Sequence, residues 1–297
     1  MRTMDGIIVV DKPEGWTSHD AVNNVRRLAN TRRVGHLGTL DPMATGVLPV
    51  VIDRATRLAQ FYLRNDKIYD AWVRFGYSTD TYDREGTATS VLTDPVIKRE
   101  ALEDRLEAFR GEFLLAPPAV SAKKVGGVPA YRFARQNVAV ALKAVPVHVY
   151  ALKVLDVEGP EAHLWVHCSS GTYLRSIAHE LGQAMGSGAH LSRLRRLRSG
   201  EFSIEQAHTL TELESMAAAE GNLADALIPV TGLLAEFPTV VIDDVTAGLI
   251  RQGRDFAVSP FRAQAGTRYV KAVSSGGELL AIGEAKLPHL YHPVVVL

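Results

Sequence analysis

The segment that decides the fold reads Gly35-His36-Leu37-Gly38-Thr39-Leu40-Asp41-Pro42-Met43-Ala44-Thr45-Gly46-Val47-Leu48-Pro49. Its three glycines and two prolines disfavour a continuous helix or a central strand, so the segment is predicted to be a structured loop. Asp41 precedes a proline, which restricts its backbone to extended or turn conformations and directs the carboxylate away from the path of the chain. By itself, an Asp-Pro pair in a loop is more often a turn former than a catalytic group.

Before this loop, the sequence predicts a strand followed by a helix. Residues Ile7 to Val10 form an apolar run typical of a strand, and Pro13 and Gly15 indicate a turn after it. The tetrad Thr17-Ser18-His19-Asp20 has the pattern of a capping box. The apolar residues that follow at helical spacing are Ala21, Val22, Val25 and Leu28.

The chain is predicted to divide into two domains, 1–236 and 237–297. Strands predicted in the first are 70–75, 145–157 and 163–168, and helices run through Leu102, Leu106 and Phe109 and through Ile177, Leu181 and Met185. This irregular order favours an α+β fold with a mixed sheet. A long insertion at about 113–143 is expected to leave the sheet, and loops of that length are usually functional or disordered. Residues 237–297 predict a small β-rich module with one helix at 247–252 and short strands at 239–242, 268–273, 279–285 and 294–297.

Charge is segregated along the chain, although 33 basic and 33 acidic residues balance. Between Phe113 and Leu155 there are six lysines and arginines and no acidic residue, and four arginines stand within 193–198. Between Ser199 and Ile250 there are acidic residues and no lysine or arginine. Basic surfaces suit a phosphate backbone through counterion release, although most charge runs are merely solvated faces.

Composition disfavours several classes of protein. The apolar run that ends at Val10 is broken by Asp11 and Lys12, too early for a signal peptide or a membrane span, so a cytoplasmic protein without membrane contact is expected. Cys168 is the only cysteine, so an intrachain disulfide is excluded. One cysteine and scattered histidines lack the spacing of a structural zinc site, and no bound metal is expected.

Ordered motifs within residues 6 to 210 resemble one family. The first is Asp11-Lys12-Pro13-x-Gly15-x-Thr17-Ser18, and the loop quoted above follows it. The later motifs, in the same order, are Lys67-Ile68-Tyr69, Thr79-Asp80-Thr81-x-Asp83-x-Glu85-Gly86, Pro118-x-x-Ser121-Ala122-x-Lys124, Gly126 to Arg135, Cys168-Ser169-Ser170-Gly171-Thr172-Tyr173-Leu174-Arg175, Gly188-Ala189-His190 and Leu194-Arg195-Arg196-Leu197. The set resembles the bacterial tRNA pseudouridine-55 synthases, the TruB-type family of RNA pseudouridine synthases.

This resemblance implies isomerisation of a uridine in the T-loop of tRNA, at position 55. The C1′–N1 glycosidic bond is cut, the uracil turns and a C1′–C5 bond forms, with no cofactor and no metal. The target base lies inside folded tRNA, so it must be flipped out to react. The family's catalytic aspartate falls on Asp41. Its addition to C1′, its addition to the uracil ring and its assistance in proton removal at C2′ stay open as alternatives.

The resemblance also implies roles for side chains around Asp41. Arg175 would keep the carboxylate ionised in a site withdrawn from water, and its planar fork suits that partner. Tyr69 corresponds to the active-site tyrosine, and Tyr173 and Leu194 would line the uracil pocket, where stacking is worth about 1–3 kcal/mol per base. An ordinary exposed arginine and ordinary core residues are the alternatives for these positions.

Three further substrate-binding residues are implied with less defined contacts. His36 would contact RNA near the position that the flipped base vacates. Lys12 would meet a phosphate or steady the catalytic loop, and Asp83 would steady loops around the RNA.

Contacts with RNA are also expected outside the cavity. The insertion would close over the T-arm stem-loop, with phosphate contacts from Lys123, Lys124, Arg132 and Arg135. Residues 237–297 weakly resemble the PUA-type β-barrel that ends many members of the family. The protein is expected to be a monomer without an obligate protein partner, and a tRNA-folding chaperone activity is compatible with catalysis on the same surface.

Other functions are weighed against this one. Ser18-His19-Asp20 cannot form a hydrolase triad, because consecutive side chains do not face one another. A two-carboxylate glycosidase would need Asp80 or Asp83 at a suitable separation, which nothing in the sequence provides. A non-catalytic RNA-binding or RNA-folding protein and a sister synthase for another RNA stay open.

Overall fold

The computed structural model describes residues 4–121, 142–218, 222–259 and 266–297, and between the first two ranges only 123–125, 127–129, 133 and 138. The helices are α1 (Ser18–Leu28), α2 (Arg99–Leu106), α3 (Leu174–Ala184), α4 (Leu210–Ala218) and α5 (Asp244–Arg251). The strands are β1 (Gly6–Lys12), β2 (Val34–His36), β3 (Thr45–Ile52), β4 (Lys67–Phe75), β5 (Gly111–Leu115), β6 (Lys124–Val125), β7 (Val128–Pro129), β8 (Val145–Glu158), β9 (Glu161–Cys168), β10 (Ala189–Ser199), β11 (Phe202–Ser203), β12 (His208–Thr209), β13 (Leu227–Pro229), β14 (Thr239–Ile242), β15 (Phe256–Ala257), β16 (Tyr269–Ser274), β17 (Leu279–Leu287) and β18 (Leu290–Val296).

The larger sheet is mixed and confirms the predicted α+β fold. Its strands lie in the order β12-β1-β3-β10-β4-β9-β8-β5, with β2, β11 and β13 paired beside β3, β10 and β1. The pairs β1–β12 and β3–β10 are parallel and the others are antiparallel. Helix α1 begins with the predicted capping box, in which Thr17 Oγ1 accepts from the Asp20 amide and the Asp20 carboxylate accepts from the Thr17 amide.

Strand β4 shows how the sheet separates its two faces. Alternate residues from Lys67 to Phe75 are buried, as the period of two requires. Tyr69, Ala71 and Val73 belong to the same apolar core as Ile177 of α3. The chemistry described below lies on this helix-covered face.

The prediction that the whole segment from Gly35 to Pro49 is a loop is wrong at both ends. Its start belongs to β2, and from Thr45 it forms β3, a central strand between β1 and β10. A glycine at position 46 lets β3 pair closely with β10, because a Cβ there would lie 2.2 Å from the Arg196 carbonyl oxygen. Proline has no N–H to donate to a neighbouring strand, and at position 49 none is needed. The Pro49 carbonyl accepts from the Leu37 amide, so the Pro49 nitrogen faces the same side, where the pairing with β2 has already ended at His36. Residues 37–44 form the loop, here called the Asp41 loop.

The predicted basic surface at 193–198 is only partly present, because these residues belong to central strand β10. Arg193 and Arg198 are exposed, whereas Arg196 is buried. Arg195 pairs with Asp11 at 2.8 Å, and Arg193 pairs with Glu161 at 2.7 Å and lies over the Trp72 ring. Two of the four arginines therefore face solvent, and one of these two already has a carboxylate partner.

Four of the C-terminal strands were predicted and β15 was not, and together they form a separate five-stranded sheet. The order is β14-β16-β17-β18-β15, a half-barrel that fits a PUA-like module. Its buried residues Leu279, Ile282 and Val295 join Ile7 and Val9 of β1 in one apolar cluster. The smaller sheet therefore covers an apolar face of the larger one. None of the helices in the described ranges has the length and apolar character that crossing a membrane requires.

Ile282→Ala is expected to lower the free energy of unfolding by about 2–5 kcal/mol, because it leaves a cavity between the two sheets. Leu287→Ala on the same strand is the matched control, since that side chain is mostly exposed and its loss should cost less than about 0.5 kcal/mol. Denaturant unfolding measures both. Equal losses would show that the apolar contact between the sheets adds nothing to stability.

Candidate active site

A cavity of about 270 Å³ opens where the Asp41 loop, β4, β10 and the start of α3 meet. Five of the eight residues implied for catalysis or substrate binding line it, namely Asp41, Tyr69, Tyr173, Arg175 and Leu194. These residues come from four separate parts of the chain, and the sheet brings them together.

Arg175 and Asp41 form an ion pair at the wall of this cavity. The Arg175 Nε atom lies 2.9 Å from Asp41 Oδ2, and Nη2 donates to Oδ1 at 3.2 Å. The guanidinium is buried, with 5% of the side chain exposed, whereas 34% of the Asp41 side chain faces the opening. The alternative of an ordinary exposed arginine is therefore wrong, and the carboxylate is held from behind and open in front.

Other contacts fix the Arg175 guanidinium itself. Nη1 donates to the Thr81 carbonyl at 3.0 Å and lies 3.4 Å from Asp83 Oδ2. Nη2 also donates to the Val120 carbonyl at 2.9 Å, at the start of the insertion. One cation thus joins two carboxylates and two loops, an arrangement that a planar fork with five donors can satisfy.

Asp83 is buried and belongs to this network. Its Oδ1 accepts from Thr81 Oγ1 at 2.6 Å and from the Glu85 amide at 3.0 Å. Tyr82 between them has φ +63°, a left-handed conformation that is rare for a bulky residue. This strained turn directs both the Thr81 carbonyl and the Asp83 carboxylate at Arg175. The role of steadying loops implied for Asp83 matches these contacts.

The apolar walls of the cavity are formed by Tyr69, Leu194 and Tyr173. Strand pairing sets Leu194 beside Ala71 and Arg196 beside Tyr69, so the ring lies next to both β10 side chains. Burial raises the pKa of Tyr69, and Arg196 opposes that change. Burial also raises the pKa of Tyr173, the residue that precedes α3. Both phenols are therefore neutral at pH 7 and can stack or donate a hydrogen bond.

Lys12 lies beneath the Asp41 loop and is fully buried. Its ammonium donates to the carbonyls of Pro13 at 2.8 Å, Trp16 at 2.6 Å and Pro42 at 3.2 Å. Burial lowers the pKa of Lys12 to about 8, against the attraction of Asp41. Of the two contacts left open for Lys12, the structure shows the one with the catalytic loop.

His36 lies at the end of β2, outside the residues that line the cavity. Its Nδ1 accepts from the Gly38 amide at 3.3 Å. Burial lowers the pKa of His36, and the Arg196 charge adds to this, so the imidazole is neutral at pH 7.

The basic insertion is only partly described. Strands β6 and β7, of two residues each, pair with one another in antiparallel orientation. Lys123, just before β6, is half-buried. The side chain of Lys124 and all of Arg132 and Arg135 lie outside the described residues. Their predicted phosphate contacts stay predictions.

Sequence reasoning missed two basic residues that line the cavity, Lys67 and Arg196. Lys67 is buried on the same face of β4 as Tyr69, and its ammonium donates to the Asn65 carbonyl. Burial lowers the pKa of Lys67 to about 8. The alternation of β4 could have indicated Lys67, because 67 and 69 share a face. Within the described ranges, no group of three His, Cys, Asp or Glu side chains is arranged to hold a metal ion.

Comparison with known proteins agrees with this geometry. The family model described as "TruB family pseudouridylate synthase (N terminal domain)" matches residues 26–174, and "tRNA pseudouridylate synthase B C-terminal domain" matches residues 175–235. A curated tRNA pseudouridine synthase B from Solibacter usitatus is 62% identical over 294 residues, 99% of this chain and 100% of the relative. The chain belongs to the TruB family of pseudouridylate synthases.

Further relatives support the same family. A tRNA pseudouridine synthase B from Aromatoleum aromaticum is 41% identical, covering 95% of this chain and 89% of its own. Among solved structures, one titled a Cbf5-Nop10-Gar1 complex matches with a TM-score of 0.73 at 30% identity, over 96% of this chain and 80% of that one. One titled an H/ACA RNP bound to a substrate RNA containing 2′-deoxyuridine matches with 0.73 at 26%, over 99% and 85%.

Lys12→Met is expected to weaken the pH dependence of stability between pH 8 and 10.5. Because the pKa of Lys12 is about 8 folded and 10.5 unfolded, the unfolded chain binds more protons in this window. The wild-type free energy of unfolding therefore gains up to about 1.4 kcal/mol per pH unit from this group. The variant lacks that gain, so its stability relative to wild type falls as the pH rises.

Chemical denaturation of both proteins at several pH values in this window measures the difference. Contributions from Lys67 and Cys168 are common to both proteins and cancel. Parallel stability curves would mean that Lys12 titrates alike in the folded and unfolded chains.

Proposed function

We propose that this TruB-family enzyme converts the uridine at position 55, in the T-loop of tRNA, to pseudouridine, with Asp41 as the catalytic carboxylate. The observation that carries the proposal is the ion pair between Asp41 and buried Arg175 at the wall of an aromatic cavity. The 62% identity to a tRNA pseudouridine synthase B supports tRNA as the substrate.

The cavity suits one extruded base. Its volume of about 270 Å³ lies near the lower end of ligand cavities, about 300–1,000 Å³. Tyr69, Tyr173 and Leu194 offer flat apolar surfaces on which a pyrimidine can stack. A base that is stacked within folded tRNA cannot reach Asp41, so the nucleotide must leave the stack first.

The reaction is an isomerisation that needs one ionised carboxylate. The C1′–N1 bond breaks and a C1′–C5 bond forms, while C5 loses a proton and the ring nitrogen freed at N1 gains one. Addition of Asp41 to C1′, addition to the ring and proton removal at C2′ all require the anionic form. The Arg175 Nε atom lies 2.9 Å from the carboxylate, and the exposed front of the carboxylate leaves room for the sugar.

Binding of the rest of the tRNA is assigned to two regions. We expect the insertion at about 113–143 to contact T-arm phosphates through Lys123, Lys124, Arg132 and Arg135. Arg175 ties Val120 of this insertion to the site. Residues 237–297 act as a PUA-like RNA-binding domain beside the catalytic domain, 1–236. Because the second sheet covers apolar residues of β1 and β3, that role is best tested by surface substitution and not by truncation.

The enzyme acts as a monomer in the cytoplasm and also assists tRNA folding through the same RNA contacts. Binding followed by release of an unmodified T-arm is sufficient for such an activity.

Release of tritium from T-arm RNA that carries C5-tritiated uridine only at the target position tests the proposal. Wild type should release tritium, and Asp41→Asn should release it more than about 100-fold more slowly, with an unchanged Kd for the RNA. Asp104→Asn, at an exposed position on α2, is the control and should match wild type.

Two results would overturn the assignment. Tight binding without release by wild type would indicate an RNA-binding protein or a synthase for another RNA. Release by Asp41→Asn at the wild-type rate would remove Asp41 from the chemistry.

A further inference from the structure

Arg196 is a buried cation without a carboxylate partner among the described residues. It lies on central strand β10 with 1% of its surface exposed, and it lines the cavity. The neighbouring arginines differ, since Arg175 pairs with Asp41 and Arg195 with Asp11. A guanidinium stays charged in a protein interior, so a lone buried one must be held by dipoles.

Those dipoles are the carbonyls of the chain that carries Asp41. Nε donates to the Val47 carbonyl at 2.7 Å, Nη2 donates to that of Gly38 at 3.0 Å, and Nη1 contacts that of Thr39 at 3.5 Å. Gly38 and Thr39 precede Asp41, whereas Val47 follows it. Arg196 therefore binds the first part of the Asp41 loop and also β3, the strand that follows the loop.

Arg196 can make these contacts because the backbone at Gly46 and Gly38 approaches it closely. Gly46 pairs with Arg196 across the parallel β3–β10 ladder, and a Cβ there would lie 2.2 Å from the Arg196 carbonyl oxygen. Gly38 has φ +127°, and a Cβ there would lie 3.6 Å from Nη1. Gly46 is thus explained by the close approach of the β10 backbone at Arg196, and Gly38 by a positive φ that side chains disfavour.

Arg196 is also the cross-strand neighbour of Tyr69. Strand pairing sets it opposite Tyr69 on β4, on the other side of β10 from Gly46, and its charge opposes the rise in the pKa of the Tyr69 hydroxyl that burial causes. One side chain therefore contacts the loop that carries Asp41 and lies beside the ring that forms a wall of the cavity.

We propose that Arg196 is a positioning residue, which fixes the Asp41 carboxylate relative to the Tyr69 ring and keeps a permanent positive charge behind both. The inference rests on the proposed function and deepens it. Displacement of a reacting group by about 1 Å is enough to lower a rate about 100-fold. The loss should appear in the chemical step and leave RNA affinity alone, because buried Arg196 faces the loop backbone.

The positive charge of Arg196 should also affect how the reaction rate depends on pH. The titratable side chains around Arg196 are Lys12 on β1, His36 on β2, and Lys67 and Tyr69 on β4. After burial, Arg196 further lowers the pKa of His36 and of Lys67, and it opposes the raised pKa of Tyr69. Removal of the charge raises the pKa of each group, so the alkaline limb of the rate profile moves to higher pH.

Arg196→Gln and Arg196→Lys separate the two effects in single-turnover tritium release at saturating T-arm RNA. The Gln variant should react about 100-fold more slowly with an unchanged Kd and an alkaline limb shifted to higher pH. The Lys variant keeps the charge but loses the fork, so it should react more slowly with the limb unshifted. Arg110→Gln removes another arginine that donates to a sheet carbonyl, at Leu152, and should match wild type.

The outcomes are distinguishable. A folded Gln variant that reacts at the wild-type rate, or one that loses RNA affinity in proportion to rate with no shift in pH, overturns the inference. If the Gln variant fails to fold, a folded Lys variant with the wild-type rate overturns it. An inactive wild type would instead contradict the proposed function.

Discussion

The guanidinium of Arg175 is the contact on which the site depends. It is buried at the start of α3 and touches Asp41, Asp83, the Thr81 carbonyl and the Val120 carbonyl. Removal of any one partner would leave a buried charge incompletely satisfied, and such charges are costly. The same contacts link the Asp41 loop, the turn at Thr81–Asp83 and the start of the insertion. The site is therefore built around one cation.

Three cations thus surround Asp41, and each has a separate function. Arg175 contacts the carboxylate, Lys12 supports the loop from below through the Pro42 carbonyl, and Arg196 binds the Gly38 carbonyl in the loop and the Val47 carbonyl in β3. Only Arg175 is paired with carboxylates, while Lys12 and Arg196 bind carbonyl oxygens. This division leaves the front of Asp41 open to a substrate while its backbone is fixed on both sides.

Sequence reasoning predicted the elements that have local signals. The capping box at Thr17 and Asp20 marked α1, and apolar runs marked β1, β8 and β9. It failed where the deciding neighbour is distant in sequence. Gly46 and Pro49 normally disfavour a central strand, and only the approach of Arg196 and the end of β2 explain why they occur in β3. The sequence did not show which of the arginines at 193–198 are exposed and which is buried, because charge density along the chain does not reveal which strand lies beside them.

The site shows the same limit. Arg175 and Asp41 are 134 residues apart, and no spacing rule connects them, so only the resemblance to a family could pair them. Arg196 stands within a quoted motif but was not singled out, because a buried arginine without a carboxylate has no signature in sequence. Its partners are the carbonyls of Gly38, Thr39 and Val47, which lie 149 to 158 residues before it in the chain.

The most direct test of the account is the single-turnover rate of pseudouridine formation by Arg175→Lys at saturating T-arm RNA. Lysine keeps the charge but cannot hold Asp41 and Asp83 in one planar fork. The account predicts a rate about 100-fold below wild type, with an unchanged Kd and a native near-ultraviolet circular dichroism spectrum. A natively folded Arg175→Lys enzyme that reacts at the wild-type rate would contradict it.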